Sequence, residues 1–591
     1  MTLRRSDLVT AEIVRNYLET VSGEMGTIVE NTATSPIFSE AHDYSTGIFY
    51  YDARGINLVA RAQAIPVHIF AALTSVETAL AAFSESIKPG DTFFVSDPYF
   101  GGSHIPDWTI VQPVLHNGKP LFFASVRGHL NDVGGCAPGG YNTEAREIWH
   151  EGFRCSPVKI YEDGKPVKDI FNLIVSNTRQ KEALSGDLQA MVGASIVGAR
   201  RIEEIIAKYG VEAVSRSVDY ALDYSETRLR AEIASWPDGI YHGESILDHD
   251  FAGGGPVPVR ATVEVKGDAL TIDLSGSHAQ VPGFCNSVYA NTISNIYSSL
   301  VAICPDIPVN SGYFRPVQIK LPPHSVVNAD LPAPVGHSTV CIGSDIMEAV
   351  MKAFEHIVPQ KVGSANIDLC NFRVFGISSK TGQFFLSGDI NTSAASSGGV
   401  YGVDGWGGWA APFCALKLPP LEMYESEFPF QYLQMEFVTD TAAPGQWRGA
   451  PAVHYRRRVL DPVRGIGYVQ GLRHPMQGYC GGKSGAGNYY VVNEGLPSEV
   501  FVEAACYNLA MPAGSVLFAQ SGGGGGWGDP LDRDPDAVLE DVLNELVSVA
   551  GAERDYGVVI DPSTMQVNAE QTLKLRAGRK TAATASESRP S

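Results

Sequence analysis

The stretch from Ser96 to Gly135, SDPYFGGSHIPDWTIVQPVLHNGKPLFFASVRGHLNDVGG, constrains the fold more than any other part of the chain. It carries two H-x-x-D units, His104 to Asp107 and His129 to Asp132, on either side of a hairpin signature. Pro98, Gly101, Gly102 and Pro106 surround the first unit, and Gly128, Gly134 and Gly135 the second, which places both on loops or strand ends rather than on a helix. Between them TIVQPVL and PLFFASV are β-rich, and His116-Asn117-Gly118-Lys119 supplies an Asn-Gly turn. A hairpin there brings its outer ends together, so His104, Asp107, His129 and Asp132 converge. His116, in the turn, is read as solvent-facing.

Two imidazoles with several carboxylates form a mixed nitrogen and oxygen donor set. That set suits zinc, manganese or iron(II), whereas calcium and magnesium prefer oxygen alone. A single H-x-x-D is better explained by a loop histidine and a turn-capping aspartate. The pairing of two across a hairpin brings the metal reading level with that one.

At 591 residues the chain is too long for one compact core, and subdomains are expected. A hydrophobic fraction of 44% with mean hydropathy −0.03 fits a folded enzyme rather than a disordered chain. The net charge of −21 disfavours nucleic acid and anionic membrane surfaces, both of which recruit basic patches. Nine cysteines without a C-x-x-C pair indicate a reduced, intracellular protein. The amino terminus lacks an apolar signal core and no run approaches the ~20 apolar residues of a spanning helix, so the expected location is cytoplasmic.

Along the chain, residues 7 to 32 show helical periodicity with Asp7 as N-cap. GIFYY and INLVA then flank the turn at residues 52–55, and Asp43 stands just before the first of these strands. Asp43 is a candidate ligand or a turn-stabilising residue, with spacing unable to decide, and Glu40 could act nearby as a base. Residues 69 to 85 predict a helix, and His68 at its start is either a core histidine, the preferred reading, or a group that supports the metal ligands. Two helices are predicted over 180–234, packing on the amino-terminal sheet, followed by a β-rich texture from 237 and a soft boundary near 236. Helices are also predicted at 287–303, 344–357 and in DAVLEDVLNELVSVA. SSGGVYGVDGWGGWAAPF reads as irregular, pocket-lining sequence. The expected class is α+β, multi-subdomain, with mixed sheets and flanking helices. Residues 1–235 form a metal-site region, 236–578 a second α+β region of the same body, and 579–591 a disordered tail.

Other motifs fail. His150-Glu151 is not HExxH, because Arg154 stands where the second histidine belongs. Gly478 to Ser484 has three residues where a P-loop needs four, and Gly522 to Gly526 does not open a helix, so neither supports a nucleotide site.

EMGTIVENTATSPIFSEAHDYS, DPYFGGSHIPD, VRGHLNDVGG, EGFRCSPVKIYEDG, DIPVNSGYFRP and GGGGGWGDPLDRDP together resemble the hydantoinase B family. That family includes ATP-dependent N-methylhydantoinase beta chains, the carboxy-terminal half of 5-oxoprolinase, caprolactamase beta chains, and subunits of acetone and acetophenone carboxylases. The resemblance implies a subunit of an ATP-dependent cyclic-amide hydrolase. A hydantoinase A-like ATPase partner phosphorylates the ring, within an (AB)2 hetero-oligomer that holds ATP on the partner. It implies zinc or manganese on Asp43, His104, Asp107 and His129, and so resolves Asp43; Asp132 and Glu40 are the base candidates. A ketone carboxylase subunit and a non-catalytic scaffold for the ATPase are the alternatives. Ser96, and Gly128-His129-Leu130 in place of a frequent His-His pair, depart from the family pattern.

Overall fold

The computed structural model describes residues 5–62, 65–364, 371–388, 397–406 and 416–587. Helix α1 (Arg5–Thr32) carries Val14, Leu18, Val21, Met25 and Val29 at three- and four-residue steps, all buried. Asp7 lies in its first turn rather than at its cap. After the single turn α2 (Pro36–Ser39) come β1 (Tyr44–Asp52), β2 (Gly55–Arg61) and α3 (Pro66–Phe83). Strands β3 (Thr92–Val95), β4 (Asp107–His116), β5 (Lys119–His129), β6 (Val158–Glu162) and β7 (Lys165–Pro166) complete a seven-stranded sheet ordered β2-β1-β5-β4-β3-β6-β7. Every pairing in it is antiparallel.

This sheet is buried on both faces, which explains why β4 and β5 read as continuous apolar runs rather than as alternating ones. One face places Ile48, Ile110, Phe122 and Val126 against α1 and α5 (Lys181–Tyr209), with α6 (Val211–Ile233) alongside. The other places Phe49, Phe93, Val111 and Phe123 against α3. Helix α3 is apolar and long enough to cross a membrane, but half of it is buried in this core.

The second core continues without a break past residue 236. It takes in the sheet β11-β10-β9-β8, formed by β8 (Gly239–Leu247), β9 (Val257–Lys266), β10 (Ala269–Asp273) and β11 (Val317–Lys320), in which β10 and β11 run parallel. Helices α7 (Tyr289–Ile303) and α8 (Ile342–Phe354) lie between the two sheets. Beyond them β12 (Asn371–Ile377) and β13 (Phe384–Gly388) begin a four-stranded sheet that shares a third core with a five-stranded one.

Three local expectations are corrected. DAVLEDVLNELVSVA forms parts of two helices, Pro535–Leu543 and Val549–Tyr556, because Glu545 turns into the left-handed region and Ser548 caps the second by accepting from Gly551 N. The tail is helical over Ala569–Glu587, past Arg579. Arg576 donates to the carbonyls of Tyr556 and Arg533, and Arg579 to that of Arg554, which anchors a segment whose composition lacks large apolar residues. His116 is half-buried rather than solvent-facing, since it pairs with Lys119 across the turn. The glycine run Gly522 to Gly526 is a close-packed loop as read: a Cβ on Gly523, Gly524, Gly525 or Gly526 would come within 2.0 to 2.2 Å of a carbonyl oxygen. Part of the aromatic and glycine-rich stretch, residues 407–413, lies outside the described residues, as do Cys370 and Cys414.

Candidate metal centre

The β4–β5 hairpin forms in the expected register. Asn117 and Gly118 both have positive φ, the geometry of a two-residue turn that matches strand twist, and the ladder pairs His116 with Lys119 at one end and Asp107 with His129 at the other. Gly128 lets the second strand approach α2, because the Phe38 ring occupies the place a Cβ would take, 2.3 Å away. Leu130 is buried in the sheet core, so the position after His129 is an apolar packing site here rather than an auxiliary ligand.

Asp107 is the centre of the cluster. His104 Nδ1 lies 2.7 Å from Asp107 Oδ2 and His129 Nδ1 lies 3.2 Å from Oδ1. One nitrogen or oxygen from each of His104, Asp107 and His129 falls within 4.8 Å of the others, and all three residues are buried. His104 Nδ1 makes no hydrogen bond of good geometry despite its closeness to the carboxylate. Donor atoms about 3 Å apart have the spacing of neighbouring ligands on an ion with bonds of about 2.1 Å. The donor set therefore fits a divalent metal.

The far side of each imidazole supports the same reading. Tyr141 Oη lies 3.4 Å from the Nε2 of both His104 and His129. With the His104 Nε2 proton turned toward this oxygen, the His104 Nδ1 lone pair is left facing Asp107, the orientation a metal-bound histidine requires. Burial pushes the His129 imidazole down to about 4, so it is neutral at pH 7 and able to ligate. Burial opposes the Asp107 charge, but the His104 and His68 rings and the close approach of the His104 and His129 nitrogens hold its carboxyl well below the usual range. Ser103 donates to it, and the fully buried Arg127 guanidinium lies 3.7 Å from it while donating to Thr109 and Ser103.

Asp43 follows α2, with its carbonyl accepting from His129 N at 3.0 Å. Its carboxylate joins the cluster through His68, whose Nε2 lies 3.7 Å from Asp43 Oδ1 and 3.4 Å from Asp107 Oδ2. Burial and the Asp107 charge raise the Asp43 carboxyl well above its usual range, against the opposing effect of Arg373. Two carboxylates that repel one another are stabilised together by a cation. His68 is a core histidine by burial and also faces both carboxylates, so the two readings of it are compatible.

The two base candidates lie elsewhere. Asp132 is buried and its oxygens accept from Gly139 N, Thr178 Oγ1, Arg179 N and Arg179 Nη1, which fully occupies them in holding the loop after β5. Glu40 is exposed at the end of α2, where its charge is felt by Glu427. Neither contacts the histidines among the described residues.

Three participants carry no local motif. Arg373, on β12, stacks its guanidinium over the Tyr141 ring at 3.9 Å and brings Nη2 to 3.4 Å from His129 Nε2. His337 packs edge-on to Tyr141 with ring centroids 4.4 Å apart. Tyr141 itself follows two glycines in a loop. Their only sequence signal is a polar residue in an apolar context, which becomes informative once the fold buries it.

The family model described as Hydantoinase B/oxoprolinase matches residues 7–530. The chain belongs to the hydantoinase B/oxoprolinase family. It is 32% identical over 581 residues to the beta chain of caprolactamase from Pseudomonas jessenii, covering 94% of this chain and 96% of that one. It is 26% identical over 547 residues to the acetophenone carboxylase delta chain of Aromatoleum aromaticum, covering 84% of this chain and 79% of that one. The crystal structure of the ATP-dependent caprolactamase from P. jessenii superposes with a TM-score of 0.90 at 31% identity, covering 98% of this chain and all of that one.

Proposed function

We propose that this chain is the metal-bearing, ring-opening subunit of an ATP-dependent cyclic-amide hydrolase, paired in the cytoplasm with a hydantoinase A-like ATPase chain in an (AB)2 assembly. The observation that carries the reading is the buried, mixed donor set of His104, Asp107 and His129, in a chain similar along its whole length to the beta chain of a caprolactamase. ATP is used by the partner, which transfers its γ-phosphoryl group to the amide oxygen. The net change is one cyclic amide, one ATP and two waters giving one ring-opened amino acid, ADP and phosphate.

His104, Asp107 and His129, with Asp43, would hold zinc or manganese. Such an ion supplies Lewis acidity and lowers the pKa of water, so that attack on the activated ring carbon proceeds near neutral pH. The chain's own groups orient the reaction. Tyr141 lies against the two imidazoles, and Arg127 sits 3.7 Å from Asp107 as a buried countercharge. With Asp132 committed to its loop and Glu40 exposed, the buried group beside the ligands that would take the water proton is His68, which stands between Asp43 and Asp107.

The test is reconstitution with a hydantoinase A-type chain. Ring opening of hydantoin, 5-oxoproline or a larger lactam should require both chains, ATP and bound metal. The isolated chain should show no ATP binding by calorimetry. Bicarbonate-dependent consumption of a ketone without lactam opening would assign the carboxylase branch instead. Full ring opening by a His104→Ala, His129→Ala double variant would reduce the chain to a scaffold.

A further inference from the structure

Around Tyr141, opposite Asp107, lies a second set of buried polar groups that the metal centre does not use. Arg373 is 4% exposed; Nη1 donates to the Asn131 carbonyl at 3.3 Å, Nη2 reaches His129, and Nε has no partner among the described residues. Among the described residues no carboxylate lies within ion-pair distance of it. His337 is fully buried, and neither of its ring nitrogens has a hydrogen-bond partner among the described residues. Both residues pack on the same Tyr141 ring. Three unpartnered nitrogens on two residues, all beside one ring, are unfavourable in a closed core and are expected where a polar ligand enters.

The loop after β5 is shaped for this arrangement. Gly139 has φ 83°, and a Cβ there would sit 2.4 Å from Arg373 Nη1. Gly139 N is held by Asp132 Oδ1 at 2.9 Å, while Asn131 supplies the carbonyl under the guanidinium. Asp132 is therefore a positioning residue for Arg373. On the other side, Glu151 accepts from Val335 N and Gly336 N, at 2.9 and 2.7 Å, and fixes the turn that presents His337.

Charge points to the kind of ligand. The formal charges of Asp43 and Asp107 balance those of Arg127 and Arg373, so a divalent ion would add positive charge that no further buried carboxylate of the cluster offsets. A planar guanidinium with free N–H groups, beside an imidazole donor, matches the oxygens of a tetrahedral dianion.

We propose that Arg373 and His337 form a phosphoryl-recognition wall of the metal centre, which binds the phosphoryl oxygens of the activated ring and discriminates it from the unphosphorylated amide. The proposal rests on the reading of the chain as the ring-opening subunit. It assigns to this chain, rather than to the ATPase, the recognition of the activated group.

Inorganic phosphate is the probe. Calorimetric titration of the zinc- or manganese-loaded chain should show one phosphate bound per chain. Arg373→Gln should weaken it at least tenfold with metal content unchanged, and Arg373→Lys should recover only part of the loss because the planar fork is gone. If Arg373→Gln loses metal or unfolds, His337→Gln serves in its place and should weaken phosphate several-fold. Equal phosphate affinity in wild type and the folded, metal-replete variant overturns the proposal, as does failure of the loaded wild type to bind phosphate. Loss of phosphate binding in a chain that opens no ring with its partner would sink the functional reading and leave the wall standing. Ring opening that persists with unaltered phosphate affinity in Arg373→Gln would do the reverse.

Discussion

Asp107→Asn isolates the charge at the centre of the cluster while keeping its shape. In the metal-free protein, Asp107 faces the buried Arg127 guanidinium at 3.7 Å. At an effective dielectric of about 20 that attraction is worth roughly 4 kcal/mol. Arg127 keeps its bonds to Thr109 and Ser103, so the net loss is about 3 kcal/mol, at the lower end for a broken buried pair. Spread over the unfolding entropy of the whole chain, roughly 2 cal/mol/K per residue, this lowers the melting temperature by about 2–3 °C. The metal-bound protein loses more, because the same charge acts on a divalent ion at shorter range. At least another 4 kcal/mol disappears, so affinity falls on the order of a thousandfold. Differential scanning fluorimetry with and without chelator, beside elemental analysis after gel filtration, separates the two effects. Arg127→Met in the same chain should recover most of the apo loss and none of the metal affinity. An Asp107→Asn protein that retains stoichiometric metal, or whose apo stability equals wild type, would refute the assignment of Asp107 as both ligand and counterion.

Further outcomes follow from the surrounding contacts. Tyr141→Phe removes the oxygen that faces both Nε2 atoms and should lower metal affinity about 10–100-fold, by competition with a chelating dye, while the fold persists. Gly128→Ala drives a methyl into the Phe38 ring and should cost about 1–3 kcal/mol, read as a lower melting temperature and partly relieved by Phe38→Leu. Burial pushes the Glu151 carboxyl up to about 8 against its hydrogen bonds from Val335 and Gly336. The folded state therefore holds a proton that the unfolded chain releases near 4.5, so this contribution to stability is full below that value and is lost as pH rises toward 8. Glu151→Gln should flatten the fall in melting temperature between pH 5 and 8. A slope unchanged in that variant would show that other groups cause it.

The hairpin was legible because its information is local: Asn117-Gly118 sets the turn, and the turn sets the register that pairs Asp107 with His129. His104 followed from its three-residue spacing to Asp107. Asp43 was undecidable from spacing, since its approach to the cluster depends on the antiparallel pairing of β1 with β5 rather than on neighbours in sequence. His68 leaned to core for a related reason: an apolar helix start looks like core, and it is core, but the face it shows is set by the sheet beneath. Asp132 shares the H-x-x-D pattern with Asp107, yet the following glycines turn its carboxylate onto Gly139 and Arg179 instead. Arg373 and His337 arrive from the far half of the chain, and no periodicity or motif near them encodes a partner some two hundred residues away. The last helix escaped composition because its anchors are arginine bonds to distant carbonyls, which a count of apolar residues does not register.

The 244 residues that separate His129 from Arg373 also set an order of events during synthesis. At 5–20 residues per second a ribosome takes roughly 12 to 50 s to travel that distance. For much of that interval the hairpin, with Asp107 and both imidazoles, precedes Arg373, which will close over it. On the proposed reading the cluster would then be an open chelator, and the metal content of protein made under different zinc and manganese supply would show whether the ion is chosen during synthesis.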